Sequence, residues 1–392
     1  MALKSARRGL LAGVGAACLA VSAMTIAHAE TLSGALAKAY ENNPPLNALR
    51  AAQRLLDEQV AVAKSGYRPN VNAVIDYGYN KRSSRSAGPT ASIGVEVTQN
   101  LFDGFQTRNA VRGARAGVFS GQEALRGGEQ DTLLGTVQAY VAVIRDQRIV
   151  GFRRQNIAFL NEQLSAAQAR FDVGEGTRTD VAQARAERAA AVAELEAAKA
   201  ALRASEANYI QIVGDAPTNL QTPSAAKALL PQGLEQAISQ AQTSHPDVRR
   251  AQFDVEQTLF GVKQVEGQYL PQLGVSGGVA RARADGIGAR DTFDSVSLNA
   301  RLTVPLYQQG RVSAQVRQEK ERLGQARINV DSARRDARAR VVQAFANYQS
   351  ALAARTSVRA QIQRLVLRWT VWSRSGTSAN ARRSTCCWVS RR

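Results

Sequence analysis

The chain has 392 residues, of which 44% are hydrophobic and 21% are charged, and its formal net charge at pH 7 is +19. Residues 366–392 contribute six arginines and no acid to that charge. Elsewhere basic and acidic residues are mixed at helical spacing and no nucleic-acid-binding motif occurs, which argues against a nucleic-acid partner.

The first 29 residues predict a cleaved secretory signal rather than part of the fold. A basic start precedes a mostly apolar stretch, and Ala27-His28-Ala29 fits a signal-peptidase site. Cys18 lacks the leucine three residues upstream that a lipoprotein signal requires. We therefore expect cleavage between Ala29 and Glu30, and a mature protein located beyond the inner membrane.

Four segments of alternating apolar and polar residues predict β-strands with one apolar and one polar face. They lie at 71–79, 93–98, 272–279 and 295–304, and they form two hairpins with polar loops at 81–89 and 283–291. Their length is near the 9–11 residues that a tilted membrane-spanning strand needs. A soluble sandwich with one buried face fits the same alternation. In a membrane, two hairpins cannot close a barrel alone, so that interpretation requires an oligomer.

Long helices are predicted after each hairpin. Both stretches lack proline and are rich in Ala, Arg, Gln, Glu and Leu, which favour helices. From Gln106 to Arg170 a continuous helix would be on the order of 100 Å long. In the long helices after both hairpins, apolar residues recur at the spacing of a coiled-coil seam. The three seams are Leu133, Val137, Tyr140 and Ile144; Leu160, Leu164, Ala167 and Phe171; and Val341, Phe345, Tyr348 and Leu352.

The chain repeats itself after about 202 residues. A period this long indicates tandem duplication of one unit, made of helix, hairpin, long helix, turn and long returning helix. The matching positions are Leu32, Ala35, Ala39 and Pro44 with Leu234, Ala237, Ala241 and Pro246; Tyr67-Arg68-Pro69 with Tyr269-Leu270-Pro271; and residues 100–104 with 305–310.

The first unit contains a glycine-bearing segment between its two long helices. Val173, Gly174, Glu175, Gly176 and Thr177 predict a turn, because glycine accommodates positive φ. The segment lacks the Lys-Ser/Thr ending of a phosphate-binding loop, and no strand precedes it. The residues at 179 and 180, Thr and Asp, fall at the next helix start, where either side chain can cap free backbone N–H groups.

In this order and in duplicate, these motifs resemble the TolC family of outer-membrane channel proteins, over residues 30 to about 365. The matching segments are the strand starts at 67–69 and 269–271, the strand-to-helix junctions at 101–104 and 305–308, and the turn at 173–181. The resemblance implies an α+β membrane protein. Three copies would form a homotrimer whose twelve strands close one β-barrel, continued by an α-helical tunnel across the periplasm.

The resemblance also implies partners and a site. The partners would be a periplasmic adaptor (membrane fusion protein), an inner-membrane ABC or proton-driven transporter, and outer-membrane lipid. Residues 173–177 would form the periplasmic tip that contacts the adaptor. Thr179 and Asp180 match positions that hold the tunnel entrance closed through polar contacts to an arginine in the second-copy turn. The capping interpretation of Thr179 and Asp180 stays open beside this one.

No catalytic, cofactor or metal-binding constellation is visible, so the sequence does not predict an enzyme. The mature chain has one histidine, His245, which precedes Pro246 where the first repeat has Asn43. We predict that His245 starts a helix rather than taking part in catalysis or metal binding. No cofactor is expected.

The composition changes near residue 366. All three tryptophans, Cys386 and Cys387 follow it, whereas residues 30–365 contain neither residue type, which excludes disulfides there. With GC-rich codons, a one-base shift of the reading frame turns this tail into a Val-Gly-Glu turn like that of the first repeat. A frameshift near Val366 therefore explains the composition; the alternative is a genuine basic tail with reactive cysteines.

The frameshift has structural consequences. Residues 366–392 should not pack as the end of the last helix, and the returning helix of the second repeat, with its gate arginine, should be missing. The seam from Val341 to Leu352 would then lack part of its cover.

The predicted organisation is a signal peptide at 1–29, a first repeat at 30–217, a linker at 218–231, an incomplete second repeat at 232–365, and an aberrant basic tail at 366–392. The predicted function is a passive exit duct for efflux or type I secretion, impaired by loss of the last helix. The alternatives are a periplasmic adaptor with long coiled-coil hairpins and a secreted enzyme.

Overall fold

The structure is a computed structural model, and it describes residues 30–82, 85–224, 230–231, 233–286 and 289–375, with the side chains of 80–88, 284–291 and 367–375 left out. The predicted signal peptide, with Ala29, and the last part of the predicted tail lie outside the described residues. The elements in chain order are α1 (Leu32–Asn42), α2 (Pro44–Ser65), β1 (Asn70–Arg82), β2 (Arg85–Phe102), α3 (Gln106–Asp172), α4 (Arg178–Val213), α5 (Leu234–Ser244), α6 (Pro246–Glu266), β3 (Gln272–Gly286), β4 (Ala289–Thr303) and α7 (Arg311–Ser375).

The four strands form one antiparallel sheet in the order β1-β2-β3-β4. The hairpins are longer than predicted, because pairing reaches Arg82↔Arg85 in the first and Gly286↔Ala289 in the second. Most of each segment predicted as a loop, at 81–89 and 283–291, is therefore strand. An antiparallel ladder pairs main-chain groups, so polar residues can extend it where the apolar alternation has already ended.

One compact unit combines residues 30–43 with 133–224. Its core joins α1, the later part of α3 and α4. The rings of Tyr140 and Tyr209 are fully buried, with centroids 6.4 Å apart. Tyr140 and Ile144 of the first predicted seam are buried, and Leu133 and Val137 are half-buried. The core residues are Ala35, Ala39, Ala139, Tyr140, Val143, Ile144, Tyr209 and Val213.

The other compact unit combines residues 44–132 with the part of the chain that follows residue 224. It contains the sheet, α2, the first part of α3, and α5 to α7, with α5 and α6 packed on α7. A carboxylate, Glu123, is buried on α3 and lies 3.1 Å from an Arg126 nitrogen and 3.3 Å from an Arg249 nitrogen. Both unit boundaries within the first 217 residues fall inside the first predicted repeat, so repeats and compact units divide the chain differently.

Each strand-to-helix junction turns through two consecutive residues with positive φ. These are Gly104 (66°) and Phe105 (64°) after β2, and Gln309 (53°) and Gly310 (76°) after β4. Gly104 also meets another backbone, since a Cβ placed on it would lie 2.2 Å from the carbonyl oxygen of Gly267. Both the left-handed conformation and this close approach require glycine at 104.

Helix α7 does not end at the composition break near residue 366 but continues to Ser375. Residues 366–375 contain no Gly or Pro, so their backbone can extend the helix. After Ala337, no residue of α7 up to Val366 is fully buried. In the predicted second-copy seam, Val341, Phe345 and Leu352 are half-buried and Tyr348 is 41% exposed.

Candidate functional site at the helical turn and on the sheet

The turn between α3 and α4 begins with a helix C-cap. The Glu175 backbone N–H donates to the Arg170 carbonyl at 2.8 Å, and the Gly174 N–H donates to the Phe171 carbonyl at 3.0 Å. These two bonds form a Schellman motif, in which Gly174 occupies the left-handed position with φ of 79°. The sequence prediction that residues 173–177 form a turn between two helices is confirmed.

Helix α4 then begins with a capping box. Thr177 Oγ1 accepts a hydrogen bond from the Asp180 backbone N–H at 3.2 Å, and Asp180 Oδ2 accepts one from the Thr177 N–H at 3.0 Å. The N-cap is therefore Thr177, and the prediction that Asp180 can cap a free backbone N–H group is confirmed, since its carboxylate accepts from the Thr177 N–H. Asp180 is the third residue of the helix, and its side chain in turn accepts a hydrogen bond from the backbone N–H of the N-cap residue. The Thr-x-x-Asp pattern in the sequence is the signal for this arrangement.

Asp180 is exposed and strongly hydrogen-bonded. The Thr177 backbone N–H and hydroxyl lower the pKa of its carboxyl group, and the charge of Arg170 acts in the same direction. Both bonds use Oδ2, at 3.0 and 2.8 Å, so Oδ1 is available to a further donor. Thr179 is exposed, and Val173 is 72% exposed. The turn thus presents an apolar side chain, a hydroxyl and an anion on one exposed segment.

A polar groove of about 490 Å³ lies between α3 and α4 close to this turn. Its walls are tied together across the two helices by Arg188, which donates to Asn161 at 2.6 Å, and Arg185, which donates to Gln168 at 3.3 Å. These residues were not among the predicted site residues. The signal that could have indicated them is the helical spacing, which places polar residues beside the predicted apolar seam through Leu164 and on the helix surface.

The sheet has two chemically different faces. Its register pairs Val95 with Val279 and Val279 with Val296, so the apolar alternations of neighbouring strands coincide. Members of the apolar face are widely exposed, as in Val296 at 82%. That face contains Val71, Ile75, Tyr77, Ile93, Val95, Val97, Val279, Val296, Leu298 and Leu302. A shallow cavity of about 250 Å³ on the sheet has among its lining residues Asp76, Ser92, Glu96, Ser276, Ser297 and Asn299.

A charge cluster around one buried carboxylate was not predicted from the sequence, where Glu30 was only the first residue after the signal. The Glu30 side chain is 6% exposed, and Lys38 Nζ lies 3.0 Å from its Oε1 and 3.0 Å from Asp215 Oδ2. The carboxylates of Asp215 and Glu30 raise the pKa of Lys38. The cluster anchors the segment before α1.

The described part of the chain holds no group of three or more His, Cys, Asp or Glu side chains that could bind a metal ion. His245 Nδ1 accepts a hydrogen bond from the Asp247 backbone N–H at 3.2 Å. The prediction that His245 starts a helix is confirmed, since it is the N-cap of α6. None of the described helices combines the length and the apolar character needed to cross a membrane.

Comparison with known proteins decides the family. The outer membrane efflux protein family matches residues 35–236 and 237–365. The chain belongs to this family. It is 44% identical over 333 residues to the outer membrane efflux protein BepC of Brucella suis biovar 1, covering 84% of this chain and 72% of BepC. It is 24% identical over 363 residues to the outer membrane protein TolC of Escherichia coli K12, covering 87% and 72%.

Solved structures agree on the fold. The fold of this chain matches that of CusC with a TM-score of 0.73 at 16% identity, covering 89% of this chain and 83% of CusC. It matches the outer-membrane channel OprN with a TM-score of 0.73 at 19% identity, covering 89% and 81%. The predicted resemblance and the predicted outer-membrane location, extending into the periplasm, are confirmed. The family is one of channel proteins rather than enzymes, and the adaptor alternative finds no support.

Proposed function

We propose that this chain is a passive exit duct of a tripartite efflux pump or a type I secretion system, leading across the periplasm and the outer membrane. The observation that carries the proposal is the sheet with one apolar and one polar face, whose outer strands, β1 and β4, each have an edge that no other described strand pairs with. A sheet edge in a bilayer must be paired, because lipid offers no hydrogen bonds to its backbone groups.

Pairing β4 of one copy with β1 of the next closes the sheet without any edge. Three copies of four strands give twelve strands, in a homotrimeric β-barrel with the apolar face toward lipid and the polar face toward the lumen. Aromatic residues support this orientation, since barrels in membranes carry them at both interfaces. Tyr77 and Tyr79 are 80% and 68% exposed toward one end of the strands, and Tyr269 and Tyr307 are 48% and 85% exposed at the other.

The helices would continue this barrel as a tunnel, with the turn at 173–177 as the tip that meets a periplasmic adaptor. Energy would come from the inner-membrane ABC or proton-driven transporter that the adaptor recruits. Asp180 would take part in closing the tunnel through Oδ1, the oxygen that the capping box does not use. The capping box would then have a second role, because it holds the carboxylate in one orientation.

The relatives support both kinds of transport. BepC is an efflux protein by name, and the alkaline protease secretion protein AprF of Pseudomonas aeruginosa is 24% identical over 319 residues. The higher identity to BepC, at 44%, favours efflux for this chain. The proposal therefore places efflux first and type I secretion second.

The deciding experiment combines mass and conductance. The purified protein is sized by light scattering in detergent and then inserted into planar bilayers. We expect a particle of three chains and discrete conductance steps. A monodisperse single chain without conductance would contradict the proposal. In cells, expression with its own adaptor and transporter in a strain lacking an outer-membrane channel should restore dye efflux, and expression without the adaptor is the matched control.

A further inference from the structure

A groove beside the start of α3 is lined mainly by cations. It encloses about 410 Å³ and is lined by Lys64, Tyr67, Arg68, Arg108, Arg112 and Arg115, with a valine beneath. The three arginines follow one another at 4-3 spacing on one exposed face of α3. The other two cations come from the end of α2 and the segment before β1.

Within the described part of the chain, these cations are not neutralised by acidic side chains. Residues 59–75 and 104–122, which supply the groove, contain no Asp or Glu. None of the five cations makes an ion pair with any residue that the structure describes. The nearest acid in sequence, Asp103, has its Oδ2 in a 2.6 Å hydrogen bond from the Thr107 backbone N–H. Five unpaired cations around one groove repel one another, so an anion bound among them would lower the free energy of the folded state.

Aromatic rings hold two of the guanidinium groups. Arg112 lies over the ring of Phe260 at 5.8 Å, and Arg108 lies over Phe105 at 5.9 Å. Lys263 approaches the same Phe260 ring at 5.4 Å and adds a further cation beside the groove. Guanidinium groups that are already oriented lose less entropy on binding, and their planar fork matches the oxygens of a phosphate.

The groove borders the apolar face of the sheet. Gln99, which the strand register places on that face, donates from Nε2 to the Tyr67 carbonyl at 3.2 Å. A smaller adjoining cavity of about 170 Å³ joins Tyr67 and Arg108 to Leu101 and Phe105. Leu101 is 60% exposed and Phe105 is 46% exposed. At this end of the sheet, apolar side chains are therefore followed by aromatic rings and then by cations. The same order suits the change from acyl chains to head groups across a bilayer leaflet.

We propose that this groove binds the phosphate of an anionic phospholipid in the periplasmic leaflet of the outer membrane. The inference rests on the proposed function, because it takes the apolar face of the sheet to lie in lipid. The arginines would hold the phosphate while the acyl chains lie against the apolar face beside Leu101. Bound lipid would fix the depth of the sheet in the bilayer at the level of the strand-to-helix junctions.

The test measures lipid binding to the purified protein in detergent by native mass spectrometry, with phosphatidylglycerol and phosphatidylethanolamine as probes. We expect preference for phosphatidylglycerol, weakening as salt is raised. The variant Arg108→Gln/Arg112→Gln/Arg115→Gln should bind phosphatidylglycerol at least about tenfold more weakly, since each basic residue near a membrane surface contributes to anionic lipid binding. Its matched control, Arg154→Gln/Arg203→Gln/Arg338→Gln, removes the same charge from exposed sites elsewhere and should bind like the wild type.

Several outcomes would overturn this proposal. Equal affinity for the two lipids, or unchanged affinity in the triple variant, would show that the groove does not select an anionic lipid. Displacement of the lipid by millimolar inorganic phosphate would assign the groove to the free anion. Loss of adaptor-dependent efflux with lipid binding unchanged would assign it to a protein partner.

Two further measurements keep the result interpretable. The variant Arg108→Lys/Arg112→Lys/Arg115→Lys retains the charge and should bind lipid with at most a modest loss, so it separates charge from folding. Single-channel conductance is recorded on each variant in parallel. A protein that conducts but does not select phosphatidylglycerol contradicts only the lipid site, whereas absent conductance in the wild type contradicts the proposed channel.

Discussion

The hydroxyl of Tyr140 lies 2.8 Å from the carbonyl oxygen of Glu30 and 2.7 Å from that of Gln221. One buried phenol thus contacts the segment before α1 and the segment after α4. Its single proton is shared between the two carbonyl acceptors. Burial raises the pKa of Tyr140, so the hydroxyl remains a donor throughout the physiological range.

Replacing Tyr140 with Phe should destabilise this unit by about 1–3 kcal/mol, because the carbonyls of Glu30 and Gln221 each lose a hydrogen bond from a fully buried phenol. Thermal unfolding followed by circular dichroism measures the effect as a lower Tm. The control is Tyr348→Phe, since Tyr348 is 41% exposed on α7. Equal Tm values for the two variants would contradict the structural role given to Tyr140.

Asp180 should make the start of α4 sensitive to acid. Its folded-state pKa is lowered below the ordinary 3.8 by the hydrogen bonds from Thr177. The stabilisation is therefore complete above about pH 3.8 and is lost as the pH falls through the folded value. Hydrogen exchange should show the protection factor of the Thr177 amide falling in that acidic range, and Asp180→Asn should remove the pH dependence. Thr179→Ala is the control and should leave the profile unchanged.

Alanine at Gly104 should prevent correct folding of the strand-to-helix junction. The new Cβ would lie 2.2 Å from the Gly267 carbonyl oxygen, in addition to the cost of a positive φ. The equivalent change in the other repeat, Gly310→Ala, meets only Ser313 Oγ at 3.9 Å and pays only the backbone strain, about 1–3 kcal/mol. The yield of folded protein in outer-membrane fractions should therefore fall far more for Gly104→Ala. Similar yields would show that the backbones move apart.

Neighbouring residues of β4 test the orientation of the sheet. Val296→Arg puts a charge on the apolar face and should cost about 2–4 kcal/mol if that face contacts lipid. Ser297→Arg places the same side chain on the polar face, so it should insert normally and change single-channel conductance. Outer-membrane yield and conductance are measured for both. The reverse pattern, with Ser297→Arg failing to insert, would contradict the proposed orientation.

The gene itself tests the frameshift. The family match stops at residue 365, next to the composition break. Sequencing from codon 355 through about 150 bases past the stop should reveal one base gained or lost, and a downstream frame that reads a Val-Gly-Glu turn and an alanine-rich helix. Confirmation of the written frame would leave a genuine basic tail.

Periodic patterns carried most of the fold. The strands near Val71 and Val296 and the seam through Tyr140 follow from side-chain alternation, because burial on one face imposes a period that a single sequence records. The strand ends did not follow, since main-chain pairing extends past the last apolar residue to Arg82. The division into compact units also escaped prediction, because it depends on contacts between residues more than a hundred positions apart.

The candidate site was predicted less completely than the fold. The turn at Gly174 could be predicted from its glycines, because a left-handed backbone conformation favours glycine and the residue type is visible in the sequence. The capping role of Asp180 was predicted but its partner Thr177 was not, because Thr177 and Thr179 both precede Asp180 and only geometry shows which hydroxyl reaches the backbone. Arg108, Arg112 and Arg115 were read as part of a mixed helical surface. The groove that they share with Lys64 exists only once α2 lies beside α3.

The order of the strands governs how the protein can fold after export. Strand β2 ends at Phe102 and its partner β3 begins at Gln272, so residues 103–271 separate the two. When the chain crosses the inner membrane from its N-terminus, the first hairpin emerges before β3. Until the intervening residues have been translocated, the β2 edge and the apolar face of this hairpin remain exposed. Such an edge readily pairs with another chain. The first hairpin is therefore the part of the sheet most liable to aggregate during export, and slower translocation should increase aggregation.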